Sequence, residues 1–224
     1  MVFDSATATL LVGLWACYFV LHSLLASLGA KRWVSRRWSR GMAWYRLGFN
    51  LLAVVLILPP LWLTFALDGP YLWRWQGPWA WLSQLLALTA IAGFFWSLRY
   101  YDGSEFLGLR QWRRGQRQVE DQESFYLSPL HRFVRHPWYS LGLVLVWTRD
   151  MNGPMLISAV AISLYFAVGS VLEERKLLVY HGEVYRRYRA QVPRLIPLPW
   201  RYLDRKAARD LLAAARPRRG SPGA

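Results

Sequence analysis

The fold of this chain is decided by the stretch 135–197, which reads R-H-P-W-Y at 135–139, L-E-E-R-K-L-L at 172–178 and H-G-E-V-Y-R-R-Y-R-A-Q-V-P-R-L-I-P at 181–197. Its charged and aromatic residues stand at the ends of two hydrophobic segments. Ionisable groups at a membrane boundary cost free energy unless they pair with or bind another group. The stretch therefore predicts a binding pocket rather than a simple anchor.

The rest of the sequence has the composition of a membrane protein, since 54% of its 224 residues are hydrophobic. Four apolar runs are about as long as the roughly 20 residues that cross a hydrocarbon core. These runs are Ala6–Leu28, Tyr45–Leu67, Trp79–Tyr101 and Met155–Leu172. A shorter run, Tyr139–Trp147, predicts the first arm of a helical hairpin. We expect an all-α polytopic membrane protein of about five transmembrane helices with a C-terminal helical cap, its second span broken near Pro59-Pro60.

Basic residues are distributed unevenly along the chain, and this asymmetry predicts the orientation. Of the 28 lysines and arginines, 26 lie in 31–46, 99–135 and 175–219. The positive-inside rule then predicts an external N-terminus, a cytoplasmic C-terminus and a belt of tryptophans around 73–81 on the external side. The net charge of +15 lies in loops between apolar spans. It therefore favours anionic lipid headgroups, and not nucleic acid, as the partner.

The tail and the potential metal ligands are less informative. Trp200–Arg216 is cationic with spaced leucines and predicts an amphipathic surface helix. Pro217–Ala224 is rich in Pro, Gly and Arg and predicts disorder. Cys17 is the single cysteine, so no internal disulfide can form. The four histidines have no metal-ligand spacing, and we expect no metal site.

Glu173 and Glu174 are the first candidates for chemistry, because they end the last long span. Neighbouring residues on a helix point about 100° apart, so only one of the two can face a given pocket well. In the alternative interpretation, both carboxylates pair with Arg175 and Lys176 at the lipid boundary.

Tyr185 and Tyr188 form a second candidate pair, three residues apart on a helix that restarts after Gly182. Gly182 suits a helix end with positive φ. Arg194 lies between Pro193 and Pro197 on a rigid, extended segment, which suits a clamp for a carboxylate. The alternative is a basic interfacial helix that the tyrosines anchor.

Two histidines are candidates for separate reasons. His136 precedes Pro137, which disfavours helix at position 136 and places this histidine near the membrane surface. His22 lies inside the first span, where an ionisable residue is a functional candidate. It could equally serve as a hydrogen-bonding contact to a neighbouring helix, for example through Asn50.

Two sets of residues resemble a known family. The C-terminal set is Arg135-His136-Pro137, Tyr139, Gly142, Glu173-Glu174, Leu177, Gly182, Tyr185, Tyr188 and Pro193-Arg194-x-Ile196-Pro197. It resembles the isoprenylcysteine carboxyl methyltransferase superfamily of integral-membrane enzymes. The N-terminal set is His22-Ser23, Tyr45-Arg46-Leu47, Asn50 and Phe106–Gln111. It is similar to the bacterial branch with methanethiol S-methyltransferase and the nitric-oxide-reductase-associated membrane proteins.

The resemblance implies an S-adenosylmethionine-dependent methyltransferase of the bacterial inner membrane. The cofactor would lie at the cytoplasmic ends of the last helices, and the acceptor would enter from the bilayer. Arg194 or Arg135 would hold the cofactor carboxylate, and Glu173 or Glu174 its ammonium or ribose. Cofactor binding is thus expected at Arg135, His136, Pro137, Tyr139, Gly142, Glu173, Glu174, Tyr185, Tyr188 and Arg194. Catalysis is expected at Glu173, Glu174 and His22.

The sequence leaves several alternatives open for the acceptor and for the function. The expected acceptor is a small thiol, with a prenylcysteine carboxylate or a lipid amine as the second choice. A membrane reductase using NADPH is the alternative enzyme, and a membrane protein associated with nitrogen-oxide metabolism is the non-enzymatic alternative. We divide the chain into a three-span region at 1–102, a cofactor-binding region at 103–199 and a tail at 200–224.

Overall fold

The computed structural model describes residues 1–115, 119 and 125–215. Within these residues the chain is almost entirely helical, as predicted. Its α-helices are α1 (Ser5–Ala26), α2 (Leu28–Arg37), α3 (Met42–Ala66), α4 (Pro78–Leu98), α5 (Gly103–Leu107), α6 (Leu109–Arg114), α7 (Pro137–Trp147), α8 (Gly153–Gln191) and α9 (Arg205–Ala215). Two short strands, β1 (Tyr71–Trp73) and β2 (Met151–Asn152), pair antiparallel.

Four of the helices, α1, α3, α4 and α8, are long and apolar enough to cross a membrane. Their outward surfaces expose large hydrophobic side chains, such as Leu51, Phe65 and Trp81, over most of their area. An apolar surface of this extent is not stable in water, but it is well solvated by lipid. The chain is therefore an integral membrane protein.

The second span departs from its prediction, because α3 is not broken at Pro59-Pro60 and continues to Ala66. A proline removes one backbone donor, yet such positions are tolerated in transmembrane helices when neighbouring groups satisfy the freed backbone. One turn after the prolines, the Thr64 hydroxyl donates to the Pro60 carbonyl over 2.7 Å and also meets the Ser158 hydroxyl of α8 at 2.6 Å. The part of α3 that follows the prolines thus packs against α8.

One end of the bundle gathers the N-terminal residues, the segment after α3 and the turn before α8. The Phe3 amide donates to the Asp68 carbonyl over 3.0 Å, and β1 pairs with β2. The tryptophans at 73, 75, 79 and 81 are all exposed near this end. We call this the opposite end, and we call the end carrying the described residues of the three basic segments 31–46, 99–135 and 175–215 the basic end.

The predicted hairpin of α7 and α8 crosses between these two ends. The eleven residues of α7 extend about 16 Å at 1.5 Å per residue, which is half of a hydrocarbon core. The chain passes from the basic end to the opposite end through α7 and the turn after it, since His136 lies beside Glu174 while Met151–Asn152 pairs with β1 at the opposite end. The segment 137–152 is therefore a fifth passage through the bundle, beside the four long helices.

The C-terminal part bends back over the basic end. Gly182 interrupts α8 with φ 50° and ψ −121°, a conformation with positive φ that favours glycine, so the predicted break is confirmed. After the break, Tyr185 and Tyr188 pack against Leu203 and against Leu211 of α9. The predicted tail helix thus forms and covers a small core. The segment 217–224, predicted to be disordered, lies outside the described residues.

Candidate active site

A cavity of about 710 Å³ opens at the basic end between α1, α3 and α8. Its polar lining residues come from both halves of the chain. They are His22, Ser23, Ser27, Lys31, Tyr45, Arg46, Asn50, Tyr139, Tyr165, Glu173, Arg175 and Lys176. Ligand cavities in proteins commonly measure about 300–1,000 Å³ and combine apolar walls with a few convergent polar groups. The cavity is therefore the candidate active site.

Residues of the N-terminal set line the cavity, and two of them hold the Phe106 backbone against it. The Arg46 Nε and Asn50 Nδ2 atoms donate to the Phe106 carbonyl over 3.2 and 2.9 Å. Gly108 allows this approach, because its φ is +91° and a Cβ there would lie 2.8 Å from the Leu47 amide nitrogen. The sequence similarity at these positions thus corresponds to one wall of the cavity. Gln111, the last residue of that set, is instead fully buried and does not line it.

His22 lies on the same wall, and its partner is Tyr165 rather than Asn50. The Nδ1 atom of His22 is 2.5 Å from the Tyr165 hydroxyl. Tyr165 stacks on Phe19 with ring centroids 4.2 Å apart. Tyr165 was not among the predicted site residues, although a tyrosine hydroxyl inside the apolar run 155–172 indicates that this side chain needs a polar partner.

Glu173 is the carboxylate that faces the cavity. Its Oε2 atom accepts a hydrogen bond from the Tyr139 hydroxyl over 3.1 Å and lies 3.5 Å from His136 Nδ1. Its side chain is 41% exposed. Glu173 therefore keeps room for a further partner on its cavity side.

Gly142 fixes the ring of Tyr139 indirectly. A Cβ at position 142 would lie 2.9 Å from Phe166, so only glycine leaves space for that ring. Phe166 stacks on Tyr139 with a centroid distance of 4.6 Å and an interplanar angle of 4°. Pro137, at the first turn of α7, begins the helix that carries both residues. The structure gives these two positions packing contacts that orient Tyr139.

Glu174 points away from the cavity into a buried ion cluster. Its Oε1 atom accepts from Arg135 Nε at 2.8 Å and Arg194 Nε at 3.3 Å, and it lies 3.2 Å from His136 Nε2. The backbone adds two contacts, from the amides of Arg135 and His136 to the carbonyls at 193 and 194. The cluster thus ties the beginning of α7 to the extended segment after α8.

Tyr185 and Tyr188 lie on the inner side of this cluster, each 2% exposed. The Tyr188 hydroxyl donates to the His131 carbonyl over 2.7 Å. The Tyr185 hydroxyl and Glu174 Oε2 are buried and have no hydrogen-bond partner among the described residues. Neither tyrosine lines the cavity, and both pack in the core under α9.

The pKa values of two histidines in this region are shifted in opposite directions. Burial would lower the pKa of His136, but the hydrogen bonds to Glu173 and Glu174 outweigh burial and raise it. Burial, assisted by the nearby His136, lowers the pKa of His131 to about 4. The Ser128 amide also donates to His131 Nδ1 over 3.1 Å, which suits a neutral ring. At neutral pH the raised pKa of His136 favours its charged form between the two carboxylates.

The arginines after Gly182 do not form a site of their own. Arg186 and Arg187 pair with Glu183 on an exposed face, over 3.1 and 3.3 Å. Arg194 pairs with Glu174. A 2′-phosphate, which the reductase alternative requires, would have to compete for these pairs.

Comparison with known proteins decides the family. Methanethiol S-methyltransferase 2 of Bradyrhizobium diazoefficiens is 31% identical over 205 residues, which cover 88% of this chain and 77% of the relative. The Mycobacterium tuberculosis methanethiol S-methyltransferase is 32% identical over 207 residues, with coverages of 86% and 78%. The chain belongs to the methanethiol S-methyltransferase family. It is a membrane methyltransferase, and that prediction is confirmed.

Other comparisons add one relative and two negative results. The methanethiol S-methyltransferase of a Pseudomonas species is 28% identical over 193 residues, which cover 79% of this chain and 68% of the relative. No family model matches the chain, and no solved structure does. The similarity to these relatives covers most of the chain, so it includes both the N-terminal and the C-terminal parts that line the cavity.

Proposed function

We propose that this protein transfers a methyl group from S-adenosylmethionine to a small thiol in the cavity at the basic end. One observation carries the proposal: the N-terminal wall, with His22 and Asn50, and the C-terminal wall, with Tyr139 and Glu173, line the same cavity. A two-substrate reaction needs a donor and an acceptor side by side, and a single cavity with two chemically different walls suits it. The relatives are methanethiol S-methyltransferases, which favours a small thiol as acceptor.

The charges of the cavity suit this donor. S-adenosylmethionine, when bound, supplies a methyl group on a positively charged sulfur, and it also carries an ammonium and a carboxylate. Glu173 offers a partly exposed carboxylate for the positive groups. The rings of Tyr139 and Tyr165 add electron-rich faces on the same lining.

For the donor carboxylate we propose a different set of partners from the one that the sequence suggested. Lys31, Arg46, Arg175 and Lys176 all line the cavity. Arg194 instead pairs with Glu174, and Arg135 is buried in the same cluster. We therefore assign the carboxylate to the cavity cations, with Lys176 as the leading candidate because it lies three residues after Glu173, on the same face of α8.

The chain's own groups act here mainly by alignment. Methyl transfer is an in-line displacement, so the acceptor sulfur must lie opposite the leaving sulfur. Holding both in one cavity and excluding water can contribute about 7–11 kcal/mol to lowering the barrier. Glu173, held by Tyr139 and His136, orients the donor, and the cavity wall that carries His22 orients the acceptor.

The orientation in the bacterial inner membrane follows from charge. The three basic segments are expected to face the cytoplasm and the N-terminus the periplasm. The cavity then opens toward the cytoplasm, where a nucleotide cofactor is available. Thiols that dissolve in lipid can approach between the helices.

The proposal is tested by acceptor competition on the purified full chain in detergent. The protein is incubated with S-adenosylmethionine labelled in its methyl group and with methanethiol, a prenylcysteine or phosphatidylethanolamine. We expect label in the methanethiol product. Label in the prenylcysteine or the phospholipid instead would replace the thiol as acceptor. Failure to bind S-adenosylmethionine, together with binding of NADPH, would overturn the methyl-transfer proposal.

A further inference from the structure

His22 and Tyr165 form a hydrogen-bonded pair on the cavity wall, between α1 and α8. The His22 Nδ1 atom and the Tyr165 hydroxyl are 2.5 Å apart, and both residues line the cavity. Packing holds the two rings, since Phe49 lies 4.9 Å from the imidazole and Phe19 stacks on Tyr165. Such a pair, placed where an acceptor enters, fixes the imidazole in one orientation.

The other imidazole nitrogen remains available. Among the described residues, His22 Nε2 has no hydrogen-bond partner. A histidine held at one nitrogen and open at the other has the geometry of a general base. Its usefulness as a base depends on the tautomer: the open nitrogen can accept a proton only when Nδ1 carries the hydrogen and donates to Tyr165.

The reaction proposed above needs such a group. An unperturbed cysteine thiol has a pKa of about 8.5, and a simple alkyl thiol is a weaker acid, so the acceptor is mostly protonated at neutral pH although the thiolate is the nucleophile. The lysine and arginine side chains of the lining are charged and cannot accept a proton. Glu173 already accepts a hydrogen bond from Tyr139, and an ionised carboxylate is a weak base. Imidazole is the group whose basicity suits proton removal at this pH.

We propose that His22 Nε2 accepts the proton of the acceptor thiol and that Tyr165 is the positioning residue that keeps Nδ1 protonated. This inference rests on the proposed function. The S–H bond breaks, its proton passes to Nε2, and its electron pair stays on the acceptor sulfur. That pair forms the new bond to the methyl carbon as the bond from this carbon to the donor sulfur breaks, leaving its electrons on that sulfur. The imidazolium then releases its proton to water at the cavity mouth.

The first test is spectroscopic and requires no turnover. In protein labelled with nitrogen-15 histidine, the ring nitrogen shifts report the tautomer, and a His22→Asn variant assigns the signals. We expect wild-type His22 with hydrogen on Nδ1 and an unprotonated Nε2, and a mixture of tautomers in Tyr165→Phe. A wild-type ring with hydrogen on Nε2 would overturn the proposal.

The second test uses acceptors of different acidity. With methanethiol, His22→Ala should lower turnover about 100-fold or more, the size of a general-base contribution. With an aryl thiol that is already ionised at neutral pH, the same variant should lose at most a few-fold. Tyr165→Phe, which keeps the stacked ring, should show the same contrast to a smaller extent.

Stability and donor binding separate the possible outcomes. Melting temperature and S-adenosylmethionine affinity, measured on the same preparations, should stay near the wild-type values. An equal loss of turnover with both thiols, or normal turnover with both, would overturn the assignment of His22 while the wild-type thiol activity kept the proposed function. A wild-type protein that methylated neither thiol would instead overturn the proposed function.

Discussion

Glu173 and Glu174 are neighbours in sequence, yet they belong to two different regions of the molecule. Glu173 lines the cavity, and its side chain is 41% exposed. Glu174 is 2% exposed inside the ion cluster with Arg135, His136 and Arg194. One helix therefore carries a group that can meet a ligand and, about 100° around the helix, a group that holds the fold together.

The contrast between Glu173 and Glu174 shows how the protein keeps the Glu173 carboxylate available to a ligand. A buried charge is tolerated only when other charges and hydrogen bonds satisfy it. Glu174 has such partners, and they tie α7 to the segment after α8. The scaffold around Glu173 is thus rigid, and His136 joins both regions by lying within 3.5 Å of each carboxylate.

The largest expected effect concerns the ion cluster. Replacing Glu174 with Ala leaves Arg135 buried without its carboxylate, and breaking a buried pair in this way costs about 3–5 kcal/mol in the free energy of unfolding. Denaturant titration in detergent measures this loss. Glu183→Ala is the matched control, because its pairs with Arg186 and Arg187 are exposed and screened by solvent, and we expect almost no change in the free energy of unfolding. Equal effects of the two variants would contradict the assignment of Glu174 to the scaffold.

A smaller effect is expected at the cavity. Tyr139→Phe keeps the stacking on Phe166 and removes the hydroxyl that donates to Glu173. A hydrogen bond of this kind contributes about 0.5–1.5 kcal/mol, so donor affinity should fall about 3- to 10-fold. Calorimetry measures the affinity, and thermal unfolding should change little. A variant that binds the donor as wild type does would show that Tyr139 does not orient Glu173.

The smallest effect is a dependence of stability on pH. The pKa of His131 is lowered to about 4, so unfolding exposes a ring that binds a proton more readily, and stability rises between pH 4 and about 6.5. The pKa of His136 is raised, so its contribution is complete below about 6.5 and is lost as the pH rises through the raised value. These two groups place a maximum of the melting temperature near pH 6.5.

The variant His136→Gln separates the two histidines. It should flatten the alkaline side of the profile and weaken the acid side only in part, because burial is the main cause of the lowered pKa of His131 and the nearby His136 a smaller one. An alkaline slope that persists in this variant would mean that another group causes it.

Much of the fold could be predicted from the sequence, because lipid imposes simple rules. Apolar runs of sufficient length had to form helices, and the basic segments had to lie at one end. Gly182 predicted the break in α8, and helical geometry predicted that Glu173 and Glu174 face different regions. The continuation of α3 through Pro59-Pro60 was not predicted, because the proline pair indicates a break; the part of α3 after it packs on α8 through Thr64 and Ser158, which lie far apart in sequence.

The candidate site was only partly predictable for a similar reason. His22 and Glu173 stood out because ionisable groups are costly in a membrane. Tyr165 did not stand out, since its significance depends on a contact with His22 across 143 residues. Tyr185 and Arg194 were expected at the cofactor from their motif, but the partners that bury them come from 131–136 and 203–211, whose approach no local pattern reveals.

The central claim is that the donor binds on the Glu173 side of α8, and one paired measurement tests it most directly. The affinity for S-adenosylmethionine is determined by calorimetry for Glu173→Gln and Glu174→Gln in the same detergent, with the melting temperature of each preparation. Loss of a charge-assisted contact costs about 1.5–3 kcal/mol, so Glu173→Gln should bind about 10- to 150-fold more weakly at a nearly unchanged melting temperature. Glu174→Gln should lose more stability than affinity. Wild-type affinity in Glu173→Gln, with the larger loss in Glu174→Gln, would place the donor on the side of Glu174 and Tyr185 and contradict the account.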